Sequence, residues 1–398
     1  MKTTVAAIDF GTSKIVTLVA ENSGSQRCDI VGAGIAAYDG YLEEGWNNPG
    51  ELDEKIRQSI GEAEKQSHRR LREINVGVPG AFTKVYATEA RVTLKGPDPR
   101  VSASDVKAIF RAATENLGSL PGIVVNSSPA WFMVDDGKKT LEPVGMKGRE
   151  LSALISFVVA NQFFVDEINN RLTEIGVTAS GFYSTPAGEA MLYLPEEDRD
   201  RTAVLIDMGY LNTEVMAVEG DALIFHKTIE IGGGNISADL AMGLDIPLKD
   251  AEEKIKRQYV YGIATAGETY DIPGTDGQKP RSFTREQVTE IITARVDEIA
   301  EEIQKAIDDS GIRLGNWSNI YLTGGALSFN RGGKDYLSNR LGRPVRDVPK
   351  RTTKMNSHAY SSTLGLMDLI IDTIEQQHQP SAGFGGAVKE FFRSLLGG

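Results

Sequence analysis

A chain of 398 residues with 40% hydrophobic content is long enough for two or more domain-sized units with ordinary apolar cores. Its formal net charge of -12, from 43 Lys and Arg against 55 Asp and Glu, sets the body against phosphate backbones. That argues for no nucleic acid partner, and it makes any contact with an anionic membrane surface a local one. The only cysteine, Cys28, builds neither an internal disulfide nor a cysteine-rich metal site, which points to a reducing cytoplasm; no stretch reaches the roughly 20 apolar residues of a spanning helix, and the N-terminal stretch does not read as a signal peptide.

Along the chain, Val5 to Phe10, Ile15 to Ala20 and Ile30 to Ala37 are β-branched and small-apolar segments broken by Gly, Ser and Asp, and they predict a meander of three strands. Leu52, Ile56, Ile60 and Ala63 then recur at helical spacing within Glu51 to Ser67, and Ile74 to Val78 reads as a buried strand. Phe82 to Ala160 reads as an inserted subdomain, with strands about Lys84 to Leu94, Val124 to Val134 and Leu151 to Val159 and a helix about Ala103 to Asn116. From Arg201 a comparable unit begins: strands at Ala203 to Asp207, Glu214 to Val218 and Ala222 to Ile229, helices at Ile236 to Leu244 and Leu248 to Tyr259, and a strand at Ile320 to Thr323. Two similar halves suggest a duplication. Ala264 to Ser282 reads as an exposed loop, Arg285 to Asp308 as a long helix and Glu375 to Gly386 as a flexible linker before a short terminal helix.

The sequence Asp9-Phe10-Gly11-Thr12-Ser13-Lys14 puts an acid at a strand end and a Gly-Thr-Ser turn before the next strand. Such a turn offers N–H groups and hydroxyls to phosphate oxygens, while the carboxylate holds Mg²⁺ through water. Alone it reads equally well as an ordinary β-turn. The second half repeats it at Asp207-Met208-Gly209-Tyr210-Leu211-Asn212-Thr213, so Asp9 and Asp207 are the candidate metal residues and Gly209, Asn212 and Thr213 join the candidate phosphate set. A third element, Thr323-Gly324-Gly325-Ala326, follows a strand and reads as opening a helix, where glycines let backbone approach a flat ligand such as adenine.

In this order the three elements resemble the phosphate and adenosine motifs of the superfamily of actin, heat-shock ATPases and sugar kinases. The resemblance implies an α/β, actin-like (ribonuclease-H-like) duplicated two-domain fold with ATP in the cleft between the domains. It also makes Glu253 and Lys256 candidates for ribose and base contacts, where the alternative is a solvated helix face. Within that superfamily, the insertion, the run from Ile231 to Ala241 (IGGGNISADLA, with Gly233 in its glycine triplet) and the terminal helix resemble the FtsA family of cell-division proteins. The resemblance lays out 1–82, 161–200 and 355–374 as domain 1A, 83–160 as the family's 1C insertion, 201–244 with 311–354 as 2A and 245–310 as 2B. The linker is then 375–386 and a C-terminal amphipathic helix 387–398. The second phosphate turn departs from the family's glycine-rich pattern at Tyr210 and Leu211, and Thr185-Pro186 stands where some filament-forming relatives carry Glu or Gln, so ATP binding with slow or no hydrolysis is expected.

On that terminal helix Val388, Phe391, Phe392, Leu395 and Leu396 share one half, with Lys389 and Arg393 flanking it on the other, a pattern for the membrane surface or for docking on the body. Burial of the large apolar groups gains about 8–15 kcal/mol gross and ordering cancels most of it, so one tail binds weakly and a polymer gains by avidity. The family resemblance implies self-assembly into filaments, a peripheral position on the cytoplasmic side of the cell membrane at the division site, the C-terminal peptide of FtsZ as partner, and other division proteins. A PilM-like pilus adaptor and a small-molecule kinase of the same superfamily are the alternatives.

Overall fold

The computed structural model describes residues 3–22, 28–42, 45–262, 267–273, 280–315, 317–349 and 357–378. They divide into two compact units, one drawn from Met1–Ala203, Met216–His226 and the chain from Ser362 onward, the other from Val204–Val215 and Lys227–Ser361.

In the first unit a five-stranded sheet runs in the order Thr178–Ser184, Glu73–Val78, Thr3–Phe10, Lys14–Asn22, Cys28–Ala37. The last three strands are the expected antiparallel meander, and Glu73–Val78 pairs in parallel with both of its neighbours. The helix Leu52–Ser67 lies on the meander and buries Leu52, Ile56, Ile60 and Ala63, the stripe its spacing implies. Beneath it Phe10, Trp46, Phe82 and Phe164 form an aromatic cluster in which the Phe82 and Phe164 rings stand 4.7 Å apart, each such pair adding about 0.5–1.5 kcal/mol beyond burial.

The insertion is a three-stranded antiparallel sheet in the order Thr83–Thr93, Glu150–Ala160, Ile123–Val134, each strand within a residue or two of its expected span. Its helix, Ala103–Leu117, starts where Ser102 and Asp105 cap each other, and it buries Val106, Ile109, Phe110 and Ala113 against the sheet. A hairpin tip at Glu219–Ala222 docks on this insertion: the Asp221 N–H donates to Pro129 O at 3.3 Å, and Lys139 Nζ lies 4.6 Å over the Trp131 ring while pairing with Glu219 at 2.6 Å.

A second five-stranded sheet runs Ala222–Ile229, Thr213–Glu219, Ala203–Met208, Ile320–Thr323, Val345–Asp347, with Asp207 opposite Thr323 in a parallel pair. In the second unit the long helix Arg285–Asp309 begins at a Thr284–Gln287 capping box and packs on Gly233–Leu244. Arg295 forks onto Asp239 with 2.6 and 3.0 Å contacts and ties the two helices together.

Four expectations are corrected. The region Ala264 to Ser282 holds a hairpin, Thr269–Ile272 with Arg281–Thr284, because Tyr270, Ile272 and Phe283 alternate with polar residues and are buried. The single helix expected over Leu248 to Tyr259 is one α-turn at Leu248–Asp250, a π-turn at Ala251–Ile255 and a 3₁₀ turn at Lys256–Gln258; its end is drawn over by Asn330, whose Nδ2 donates to Lys256 O at 2.7 Å and to Tyr259 O at 2.8 Å. No helix opens at Gly324-Gly325: that segment is a turn, and the helix is Gly333–Leu341. The helix from Ser361 continues to His378, so the linker cannot begin at Glu375. The rest of the linker and the terminal helix, with Val388, Lys389, Phe391, Phe392, Arg393, Leu395 and Leu396, lie outside the described residues.

Candidate functional site

In the first unit the hairpin at Asp9 is closed by the Gly11 N–H donating to Lys14 O at 2.9 Å, with Thr12 buried and Gly11, Ser13 and Lys14 half-buried. Asp9 is only 3% exposed. Its Oδ2 accepts from Ser362 Oγ at 2.8 Å and from Thr363 Oγ1 at 2.7 Å, at the start of the helix Ser361–His378. Two hydroxyl donors on one buried carboxylate oxygen fix its direction, which is what a residue that aims at a metal's water shell requires.

The second unit brings the other candidates together. Its phosphate-type turn is closed by the Gly209 N–H donating to Asn212 O at 2.9 Å, and Thr213, fully buried, donates its hydroxyl to Ile231 O at 2.8 Å. The helix Gly233–Leu244 begins directly on this turn. The Gly233 N–H donates to Gly209 O at 2.9 Å and the Gly234 N–H to Tyr210 O at 2.6 Å, so the first donors of that helix are committed to the protein's own carbonyls. Tyr210 therefore does not crowd the turn: its ring lies over Gly234, with Lys256 Nζ 6.0 Å from the ring centroid.

Gly233 is needed for packing, because a Cβ there would stand 2.5 Å from Ala326 Cβ. Gly324 is needed on two counts: its φ is +90°, and a Cβ would fall 2.2 Å from Asp207 Oδ1. Asp207, Gly324, Ala326 and Gly233 thus form one tight stack, reinforced by the Ala326 N–H donating to Met208 O at 3.0 Å.

Lys256 is 5% exposed and donates to Gly233 O at 2.8 Å and to Glu252 Oε2 at 2.5 Å. Burial pushes the Lys256 ammonium below its usual range against the pull of Glu252. Burial alone would raise the Glu252 carboxyl, but Lys256 and the Ser237 hydroxyl hold it below the usual range. Glu253, expected to contact ribose or base, is exposed, and the acid paired with Lys256 is Glu252. The four-residue spacing of Glu252 and Lys256 was the signal for this, since i and i+4 share a helix face. Ser362, Thr363 and Asn330 had no such signal: a hydroxyl pair in a small-residue helix and one Asn after a glycine turn become functional only through chain-distant partners.

Among the described residues no cluster of three or more His, Cys, Asp or Glu could hold a metal ion directly, and no helix is long and apolar enough to cross a membrane.

The profile of the family described as Cell division protein FtsA matches residues 204–365, the stretch that holds the second phosphate turn, the Glu252–Lys256 pair and the Gly324 turn. Curated proteins of that name align along most of the chain: that of Pseudomonas aeruginosa is 25% identical over 91% of this chain and 88% of its own length, that of Neisseria meningitidis serogroup B 25% over 97% and 94%, and that of Escherichia coli K12 21% over 91% and 89%. Along most of its length the chain is similar to the FtsA family of cell-division proteins. Solved structures give the fold of this chain. The structure titled PilM-PilN type IV pilus biogenesis complex matches with a TM-score of 0.60 at 17% identity, covering 91% of this chain and 97% of that one. MreB5 of Spiroplasma citri, solved bound to ADP, matches with a TM-score of 0.57 at 10% identity, covering 94% and 98%. These likenesses establish the actin-like ATPase fold and carry no more than the fold.

Proposed function

We propose that this FtsA-family chain is a cell-division subunit that binds ATP with Mg²⁺, assembles into filaments on the cytoplasmic face of the membrane and tethers the FtsZ ring there through the C-terminal peptide of FtsZ. The observation that carries the nucleotide part is the stack of Asp207, Gly324, Ala326 and Gly233. These residues are brought to van der Waals limits from three separate chain segments, within the stretch that the family profile matches. The residues of the first turn fit the cofactor: Asp9 is a buried, oriented carboxylate, and Thr12, Ser13 and Lys14 would supply hydroxyls, N–H groups and a cation for phosphate oxygens, while the Gly11 N–H, the Gly209 N–H and the Thr213 hydroxyl serve to close their own turns. Mg²⁺ bound with the phosphates would supply charge neutralisation, and Asp9 and Asp207 are the residues that would hold its water shell. The N–H groups of Gly233 and Gly234 are spent on the turn itself, and that favours holding ATP over rapid turnover.

The test is co-sedimentation with anionic liposomes in ATP and Mg²⁺, comparing the full chain with a version ending at Gln379 and imaging both. Filaments that coat liposomes and detach on truncation support the reading. Equal pelleting of both chains, or binding by neither, removes the membrane-tethering part. Binding of the C-terminal FtsZ peptide is measured separately by anisotropy.

A further inference from the structure

The outer strand of the first sheet, Cys28–Ala37, has a composition that invites pairing with another chain. From Ile30 to Ala37 it reads Ile-Val-Gly-Ala-Gly-Ile-Ala-Ala, with no charge and no proline, and the whole strand has one charged residue, Asp29. Past the register shift at Val31, Gly32 to Ala37 pair with Lys14 to Val19 in unbroken register, and among the described residues no strand pairs with the outer side. Val31, Ala33 and Ile35 are only half-buried. A long apolar edge with open N–H groups is a template for strand addition. Other outer strands carry the usual deterrents: Val345–Asp347 is three residues long, and Thr83–Thr93 in the insertion bears Lys84, Glu89 and Arg91.

At Cys28–Ala37 the deterrent comes from the helix Leu52–Ser67. Gln66 Oε1 accepts from the Ala33 N–H and Glu62 Oε2 from the Ile35 N–H, each at 3.1 Å. The spacings match: four residues of helix advance about 6 Å and two residues of strand about 6.7 Å, so one side chain per helical turn meets each successive outward N–H. Gly32 and Gly34 let the helix come this close. A Cβ on Gly32 would stand 2.6 Å from Ala63 O, and one on Gly34 would run into Ser59 O. Thr17 Oγ1 and Ser59 Oγ, 2.5 Å apart and fully buried, pin the helix from below, and Gln58 Nε2 steadies Glu62 by donating to its Oε1 at 3.2 Å. Glu62 and Gln66 are themselves exposed, so burial does not account for their position.

We propose that Glu62 and Gln66 form a latch that closes this edge to strand addition by a second copy of the chain. The partner kept out is another Cys28–Ala37 strand, which from Ile30 onward is apolar and uncharged enough to pair with itself edge to edge. Self-assembly by this chain then goes through surfaces other than this edge, and an open latch diverts it into sheet-to-sheet association. The latch works by hydrogen bonding and not by charge, because its Gln66 half carries none.

The experiment uses the full chain without nucleotide or lipid, so it is independent of the nucleotide and membrane readings. Amide hydrogen exchange is resolved at Ala33 and Ile35 in dilute, monomeric samples, and mass is followed by light scattering against concentration. The variants are Glu62→Ala combined with Gln66→Ala, which keeps a helix-favouring residue at both positions, Glu62→Gln, and Lys65→Ala as a control on the same helix. The double variant is expected to speed exchange at both amides by about 2- to 12-fold, the range for losing one hydrogen bond, and to reach about twice the parent's mass or more as concentration rises. Glu62→Gln keeps an acceptor and, like Lys65→Ala, stays at the parent's mass. Exchange at Ala33 and Ile35 of the parent at unstructured-peptide rates overturns the latch without any variant. So does a double variant that keeps the parent's mass, or a Glu62→Gln chain that associates, which would assign the deterrent to charge.

Discussion

The grip of Ser362 and Thr363 on Asp9 gives a sharply testable quantity. Thr363→Val replaces the hydroxyl by a methyl of nearly the same shape and so removes the 2.7 Å bond alone; Ser362→Ala removes the 2.8 Å bond. A hydrogen bond to a charged group is worth about 1.5–3 kcal/mol, and Asp9 at 3% exposure has little water to replace a lost donor, so each single change should cost about 2 kcal/mol. Both donors serve the same oxygen, so the double variant should cost about 1 kcal/mol or more beyond the sum, because only then is that oxygen stripped of both. The assay is urea unfolding followed by fluorescence in a Trp317→Phe background. The chain has three tryptophans, and this leaves Trp46 and Trp131, both in the first unit. A falling midpoint at constant slope assigns the loss to stability. Thr363→Ser, which keeps the hydroxyl, serves as the control. A Thr363→Val loss below about 0.5 kcal/mol would refute the claim that these hydroxyls stabilise a buried charge.

Lys256→Met should destabilise by about 2–3 kcal/mol by removing the nearer of the two cations on Glu252, Arg257 remaining at 3.5 Å, and adding Glu252→Gln should recover much of that; chemical denaturation of the three variants checks it. Gly324→Ala should cost at least about 2 kcal/mol, from a left-handed φ and a 2.2 Å clash with Asp207, read as a fall in thermal midpoint and in soluble yield. Asp372 gives a pH dependence: burial first, then Asp368 and Glu375, push its carboxyl up to about 6. Its folded state therefore holds a proton that the unfolded state has lost, and stability falls as pH rises from about 4 to about 6. Asp372→Asn should remove that slope and stabilise the chain at pH 7 by about 1 kcal/mol, discounted because the side chain is only partly covered and solvent screens it. A midpoint-versus-pH curve that keeps its slope in the variant would sink this account.

Period-two alternation and the Asp-x-Gly turns were enough to locate the hairpins at Asp9 and Asp207, because strand pairing across a tight turn is decided locally. The stripe of Leu52, Ile56, Ile60 and Ala63 was legible for the same reason. Composition misled at Ala264 to Ser282, where Gly, Pro and Thr hid the alternation of Tyr270, Ile272 and Phe283. That Glu252 and not Glu253 pairs with Lys256 was legible in the four-residue spacing. The uses of Asn330, Ser362 and Thr363 could not be read locally at all, since their partners lie 71 to 354 positions away.

That last separation bears on how the protein is made. Asp9 leaves the ribosome among the first residues, but the hydroxyls that hold it come 353 and 354 positions later. At about 5–20 residues per second, the carboxylate waits roughly 20 to 70 s for its donors. The hairpin that carries it can form early from its own strand pairing, but its acid is set in direction only when the helix at Ser361 arrives. Nascent chains would then lack the donors that hold Asp9 until synthesis has passed Thr363.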